Sequence, residues 1–160
     1  MDSSRRKYAF EVIGLIAIVL SLGVVAFEVR QNTAAVRSSV IQSVSDQSIE
    51  AISLMVENSD LRDGIDAAIK GVADEKQQRQ VYAYYALLLR IQINRFLQVE
   101  VGAIDKRVIL KMGAKAAVYD TPAFRNYWDD VKAGQSDEFR AYMESDVFSA
   151  KIVGTGFIAN

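Results

Sequence analysis

Apolar side chains fill one uninterrupted stretch near the start of the chain and recur at helical intervals through the rest of it. Residues 12–27 contain no charged side chain, and Arg5, Arg6 and Lys7 lie just before them. At ~1.5 Å per residue these residues cover about 24 Å, so the segment has to extend to about residues 8–29 to cross a hydrocarbon core of ~30 Å. The pattern predicts a transmembrane helix within residues 1–30.

Two other kinds of segment share this pattern, namely a cleaved signal peptide and a buried helix of a soluble protein. A signal peptide ends at a pair of small residues, and no such site follows the apolar run. The sequence continues instead through Glu28-Val29-Arg30-Gln31-Asn32 without a turn residue. A retained membrane anchor therefore fits the sequence best.

One side of the predicted span carries smaller side chains than the others. At ~100° per residue, Gly14, Ala17, Ser21 and Glu28 lie within about 60° of one another. Small residues allow a second helix to approach closely, and a serine or carboxylate can form a hydrogen bond across the contact. We expect this face to bind a partner helix, and the alternative is a face that contacts only lipid.

The remaining sequence predicts helices. Residues 31–57 contain neither Gly nor Pro and repeat apolar residues near a helical period, which predicts a helical stalk. Residues 58–151 predict a compact bundle of helices joined by short connections, followed by an apolar tail at 152–160. The expected helix starts are Asn58, Asp74, Asp105, Thr121-Pro122 and Ser136, and the expected ends are Gly71, Gly102 and Gly134. A single helix is expected from residue 106 to 119.

The segment from Gln77 to Val101 is apolar on most of its circumference and should form the centre of the bundle. Arg90 and Asn94 lie one turn apart on its narrow polar face. Such a pair most often marks a solvated helix edge or an internal ion pair, and the alternative is that the two side chains hold an anion or a partner's carboxylate. Arg95 points elsewhere and is expected to extend its charged end into solvent.

The amino-acid composition limits the kinds of reaction and ligand that the protein can support. The 160 residues carry a net charge of −1 and contain no Cys, no His and a single Pro. A near-neutral chain argues against a nucleic-acid partner, and the missing residue types remove thiolate and imidazole chemistry. Adjacent acidic pairs, such as Asp129-Asp130, point about 100° apart and suit helix ends better than metal sites. We expect an all-α protein with no cofactor and no metal.

The chain resembles a family of small bacterial membrane proteins that have no established activity. In that family one membrane helix runs into an (I/V)RQN(T) motif, matched here by Val29-Arg30-Gln31-Asn32-Thr33. A central helix then carries an Arg-x-x-x-Asn pair before a Gly-x-x-Asp turn, matched by Arg90, Asn94, Gly102 and Asp105. Tyr127-Trp128 and Phe139-Arg140 are similar to the family's closing segments. The resemblance implies a bacterial inner-membrane protein with a single span and a cytoplasmic helical domain.

Two indications disagree on which side of the membrane carries the helical domain. Three basic residues precede the span and two, Arg30 and Arg37, follow it, which favours a cytoplasmic N-terminus by one charge and opposes the resemblance. The expected function is non-enzymatic: an accessory or assembly subunit bound to another membrane protein or complex, or to a second copy of itself. The alternative is a membrane-anchored sensor that binds a small ligand in its helical domain.

Overall fold

A computed structural model describes residues 3–114 and 117–148, and it confirms the predicted all-α class. No strand occurs within these two ranges. The α-helices are α1 (Ser3–Glu57), α2 (Ser59–Ile69), α3 (Glu75–Glu100), α4 (Lys106–Ile109), α5 (Pro122–Val131) and α6 (Asp137–Tyr142). Short π-helical turns follow α4 and α6, at Leu110–Ala114 and Met143–Val147, and 3-10 turns lie at Ala117–Asp120 and Lys132–Gly134. The apolar tail predicted at 152–160 lies outside the described residues.

The chain divides into two compact units, Met1–Ser39 and Val40–Asn160. Within the first unit, α1 is long and apolar enough to cross a membrane. Its large apolar side chains between residues 12 and 29 are 41–67% exposed. None of the side chains at residues 11–39 is buried, so this part of the first unit has no hydrophobic core.

Several helices in the second unit begin or end at the residues that local chemistry predicts. The Asn58 side chain accepts a hydrogen bond from the Leu61 amide at 3.0 Å and starts α2. Asp74 and Gln77 form a reciprocal capping box at the start of α3, with bonds of 2.8 and 3.0 Å. Thr121 caps α5, whose first residue is proline. Gly71 and Gly102 follow α2 and α3 with φ near +70°, a conformation that glycine adopts without strain.

The core of the second unit surrounds α3. The cluster around α3 draws its buried residues from every α-helix except α4, and rings account for many of them. A second cluster contains Val44, Ile104 and Ile109, the last of which lies on α4. Phe124 contacts Tyr85 edge to face, with ring centroids 5.1 Å apart, and Trp128 contacts Phe139 in the same manner at 6.0 Å. Such pairs add about 0.5–1.5 kcal/mol each to the burial of their surfaces. The aromatic residues near the end of the chain are therefore core residues.

Residues 40–57 of α1 belong to this compact unit, which begins at Val40. Val44 and Ala51 are fully buried. Gln47 and Ser48, which interrupt the apolar stripe, meet polar residues of α3. These polar residues therefore have polar partners where α1 contacts α3, and residues 40–57 pack within the second unit.

The single helix expected from residue 106 to 119 is wrong. Asp105 caps α4 as predicted, but the helical geometry is lost at Met112 (φ −83°, ψ 20°) and Gly113 (φ +86°, ψ 20°). Gly113 is the residue that tolerates this left-handed conformation. Tyr119 enters the core from a separate 3-10 turn.

Candidate functional site

The predicted partner-binding face lies in the first unit. Gly14, Ala17, Ser21 and Glu28 are all exposed, and a Cβ atom added at Gly14 would meet nothing within 4 Å. The Ser21 hydroxyl donates to the Ala17 carbonyl at 2.8 Å, so its proton is used within the helix. Contact with a partner helix along this face stays a prediction.

The structure does not bring Arg90 and Asn94 to a common partner. The Arg90 side chain is exposed, whereas Asn94 is half-buried and its amide donates to Gln47 Oε1 at 3.0 Å. Asn94 Oδ1 also accepts from Gln98 at 3.3 Å. Asn94 thus joins α3 to α1, and Arg90 lies at a solvated edge of the helix.

The charged group that is buried on α3 is Arg95. It is only 2% exposed, and its Nη2 donates to Ser48 Oγ at 2.9 Å and to the Met112 carbonyl at 3.2 Å. The expectation that Arg95 extends into solvent is wrong. The side chain lies on the same side of α3 as the buried residues Leu88, Ile91 and Gln92, at helical spacings of seven, four and three. The core therefore surrounds it.

The positive charge of Arg95 has no counter-charge within the described residues. None of the ion pairs found there includes Arg95. Its Nε and Nη1 atoms are buried and make no hydrogen bond. An unpaired buried ion costs several kcal/mol, which makes this arrangement unusual for a purely structural residue.

Arg95 borders a cavity of about 180 Å³ inside the second unit. Apart from Arg95, Ser48 and the two tyrosines Tyr84 and Tyr119, the side chains that line it are apolar and include those of Ala51, Met55, Leu88 and Val118. Ile52 also lines the cavity and is more than half exposed, so one wall reaches the surface. The site combines one cation with a predominantly apolar enclosure.

The tyrosines near Arg95 are neutral and cannot balance its charge. Burial raises the pKa of Tyr119, and the neighbouring charge of Arg95 opposes that rise without cancelling it. Burial also raises the pKa of Tyr142 to about 12. The Tyr142 hydroxyl donates to Gln92 Oε1 at 3.3 Å, which fixes the glutamine beside the arginine. At neutral pH the site is therefore a cation among uncharged groups.

The sequence did not predict the site at Arg95, because the predicted polar site was placed at Arg90 and Asn94 on the polar face of α3. The available indication was a polar pair, Gln92 and Arg95, placed three residues apart in line with Leu88 and Ile91. A charged residue on an otherwise buried face is a stronger indication of a site than one on an exposed edge.

Comparison with known proteins identifies a family and no activity. No curated protein and no solved structure matches the chain. The predicted (I/V)RQN(T) motif and single-pass topology stay predictions. Residues 4–148 match the sequence pattern of a family of unknown function, which covers nearly the whole chain. The chain therefore belongs to DUF6082, a family of unknown function.

Proposed function

We propose that this protein is a non-enzymatic, membrane-anchored helical module, which acts as an accessory or assembly subunit of another membrane protein or complex. The observation that carries the proposal is the exposed apolar stretch of α1. Its large apolar side chains between residues 12 and 29 are 41–67% exposed. In water this surface would favour aggregation, whereas a bilayer supplies the apolar environment that it needs.

A second exposed apolar stripe supports a protein partner. Ile49, Ile52 and Val56 lie at helical spacings of three and four, beyond the predicted span, and are 56–61% exposed. Single exposed apolar residues are ordinary, but several in line are typical of interaction surfaces. We place the protein in the bacterial inner membrane, and the resemblance favours a cytoplasmic position for the helical unit.

Membrane association is tested by fractionation. Native membranes that contain the full chain are washed with alkaline carbonate, and a membrane-spanning protein should stay in the pellet until detergent is added. Release of the chain by carbonate alone would contradict the anchor.

Association with a partner is tested on the small-residue face. Gly14→Leu together with Ser21→Leu should weaken assembly, because close helix approach in lipid depends on small side chains. Both substitutions introduce an apolar leucine, so insertion of the helix into the membrane should be unaffected. Gly23→Leu, on the opposite side of the helix, is the matched control. The readout is native-gel migration and quantitative pull-down after mild solubilisation, and unchanged assembly of the double variant would place the contact elsewhere.

A ligand-binding sensor is the second candidate function, and the cavity beside Arg95 favours it. A sensor needs a site in the helical unit to which a ligand binds more tightly in one conformation than in another. An anionic ligand would bind most tightly to the conformation in which the unpaired charge of Arg95 is enclosed.

A further inference from the structure

We infer that the cavity beside Arg95 binds a small monocarboxylate with a compact apolar body. The carboxylate accepts hydrogen bonds from the guanidinium at Nε or Nη1, and the body fills the apolar part of the cavity. The inference rests on the second candidate function, the sensor, and not on the proposed accessory role.

The charge of the ligand follows from the charge of the site. Arg95 is the one charged residue among those that line the cavity, and the donors at Nε and Nη1 have no acceptor within the described chain. One carboxylate neutralises one guanidinium and supplies strong acceptor oxygens. A phosphate group carries about −1.5 to −2 charges at pH 7 and would leave excess negative charge buried in the cavity. A neutral ligand or an amine would leave the cation unbalanced.

The body of the ligand follows from the walls and the volume. Most of the lining side chains are apolar, among them Met55, Leu88 and Val118. A cavity of about 150 Å³ with apolar walls accommodates benzene. The cavity here, at about 180 Å³, therefore suits an apolar body of roughly six carbons. Benzoate and hexanoate have this combination of charge and size.

Two features of the fold place the guanidinium at the cavity wall. Ser48 Oγ accepts from Arg95 and donates in turn to the Val44 carbonyl at 2.8 Å, so the hydroxyl is held in a fixed orientation. The turn at Met112 and Gly113 presents the Met112 carbonyl as the second acceptor. Both acceptors bind Nη2, which leaves Nε and Nη1 for the ligand.

Calorimetry on the full chain in phosphatidylcholine nanodiscs tests the inference, with empty nanodiscs as the blank. The probes are benzoate and hexanoate, and the comparison compounds are benzyl alcohol and inorganic phosphate. We expect both carboxylates to bind and the comparison compounds to bind at least about tenfold more weakly, the factor that loss of a charged hydrogen bond corresponds to. Arg95→Met should weaken benzoate binding by roughly 10- to 100-fold. Arg90→Met, an exposed arginine on the same helix, should leave it unchanged.

A second pair of variants keeps the test decisive if Arg95→Met does not fold. Ile52→Trp places a large side chain at the exposed wall of the cavity and should weaken benzoate binding, whereas Ile49→Trp on the same helix should not, because Ile49 does not line the cavity. If benzyl alcohol bound as tightly as benzoate, the inference that the ligand is a carboxylate would be overturned. The second candidate function would then be a sensor for neutral ligands. Absence of binding by every probe up to about 10 mM would overturn both the inference and the sensor. The accessory role depends on the separate assembly test.

Discussion

Truncation of Leu88 to alanine probes whether the described core supports the cavity. Leu88 is 4% exposed on α3, and its side chain contributes to both the hydrophobic core and the cavity wall. The substitution removes three carbon atoms, which at about 0.8 kcal/mol each lose roughly 2.4 kcal/mol of transfer free energy. The new void of roughly 60–80 Å³ costs about 1.5–2 kcal/mol more at ~24 cal/mol per Å³, because it merges with an existing cavity instead of collapsing. We expect a total loss of about 4 kcal/mol.

The single tryptophan makes the assay simple. Trp128 is buried in the same core as Leu88, and the membrane segment contains no tryptophan. Its fluorescence during urea titration of the full chain in detergent micelles therefore reports unfolding of the helical unit alone. Leu97→Ala is the matched control, because Leu97 lies on the same helix and is 51% exposed. A loss below about 0.5 kcal/mol for Leu88→Ala, or a loss equal to that of the control, would refute the described packing.

Three further predictions follow from individual residues. Leu20→Arg should cost about 2.5–3.5 kcal/mol on membrane insertion and lower the fraction of chain that resists carbonate extraction; an unchanged fraction would contradict a span centred there. Gly113→Ala should destabilise the helical unit by about 1–2 kcal/mol in the same urea assay, since alanine is strained at φ +86°, and an unchanged midpoint would contradict the left-handed turn. Because burial raises the folded pKa of Tyr142 to about 12 while an unfolded tyrosine ionises near pH 10, its contribution to stability is complete below pH ~10 and is lost as the pH rises toward 12. Tyr142→Phe should reduce the fall of the urea midpoint between these pH values, and equal slopes for both proteins would contradict the raised pKa.

Local chemistry allowed much of the fold to be predicted from the sequence alone. The apolar segment needs only its length and composition to be predicted, because a bilayer acts as a uniform apolar solvent. The starts of α2 to α6 are predictable because a capping side chain bonds an amide only two or three residues away. The ends at Gly71 and Gly102 were predicted because left-handed backbone geometry favours glycine.

The role of residues 40–57 depended on contacts across the fold. Gln47 and Ser48 interrupt an apolar stripe and, considered alone, argue against burial. Their partners Asn94 and Arg95 lie 47 residues further along the chain, so nothing in the local pattern reveals the match. A polar residue is stable in a core only where a partner meets it, and the partner is a property of the tertiary structure.

The same reason separates the two arginines of α3. Most of the circumference of this helix is apolar, so periodicity gives no single buried face from which to judge Arg90 and Arg95. Arg95 is enclosed because α1 and the turn at Gly113 pack against α3. The 3-10 turn that carries Val118 and Tyr119 completes the cavity. The sequence by itself therefore determined most helix ends and the apolar segment. A cap depends only on residues close by in the sequence, and membrane insertion depends only on the length and composition of one segment. The tertiary structure decided which charge is buried, because burial depends on all the surfaces that meet at one point.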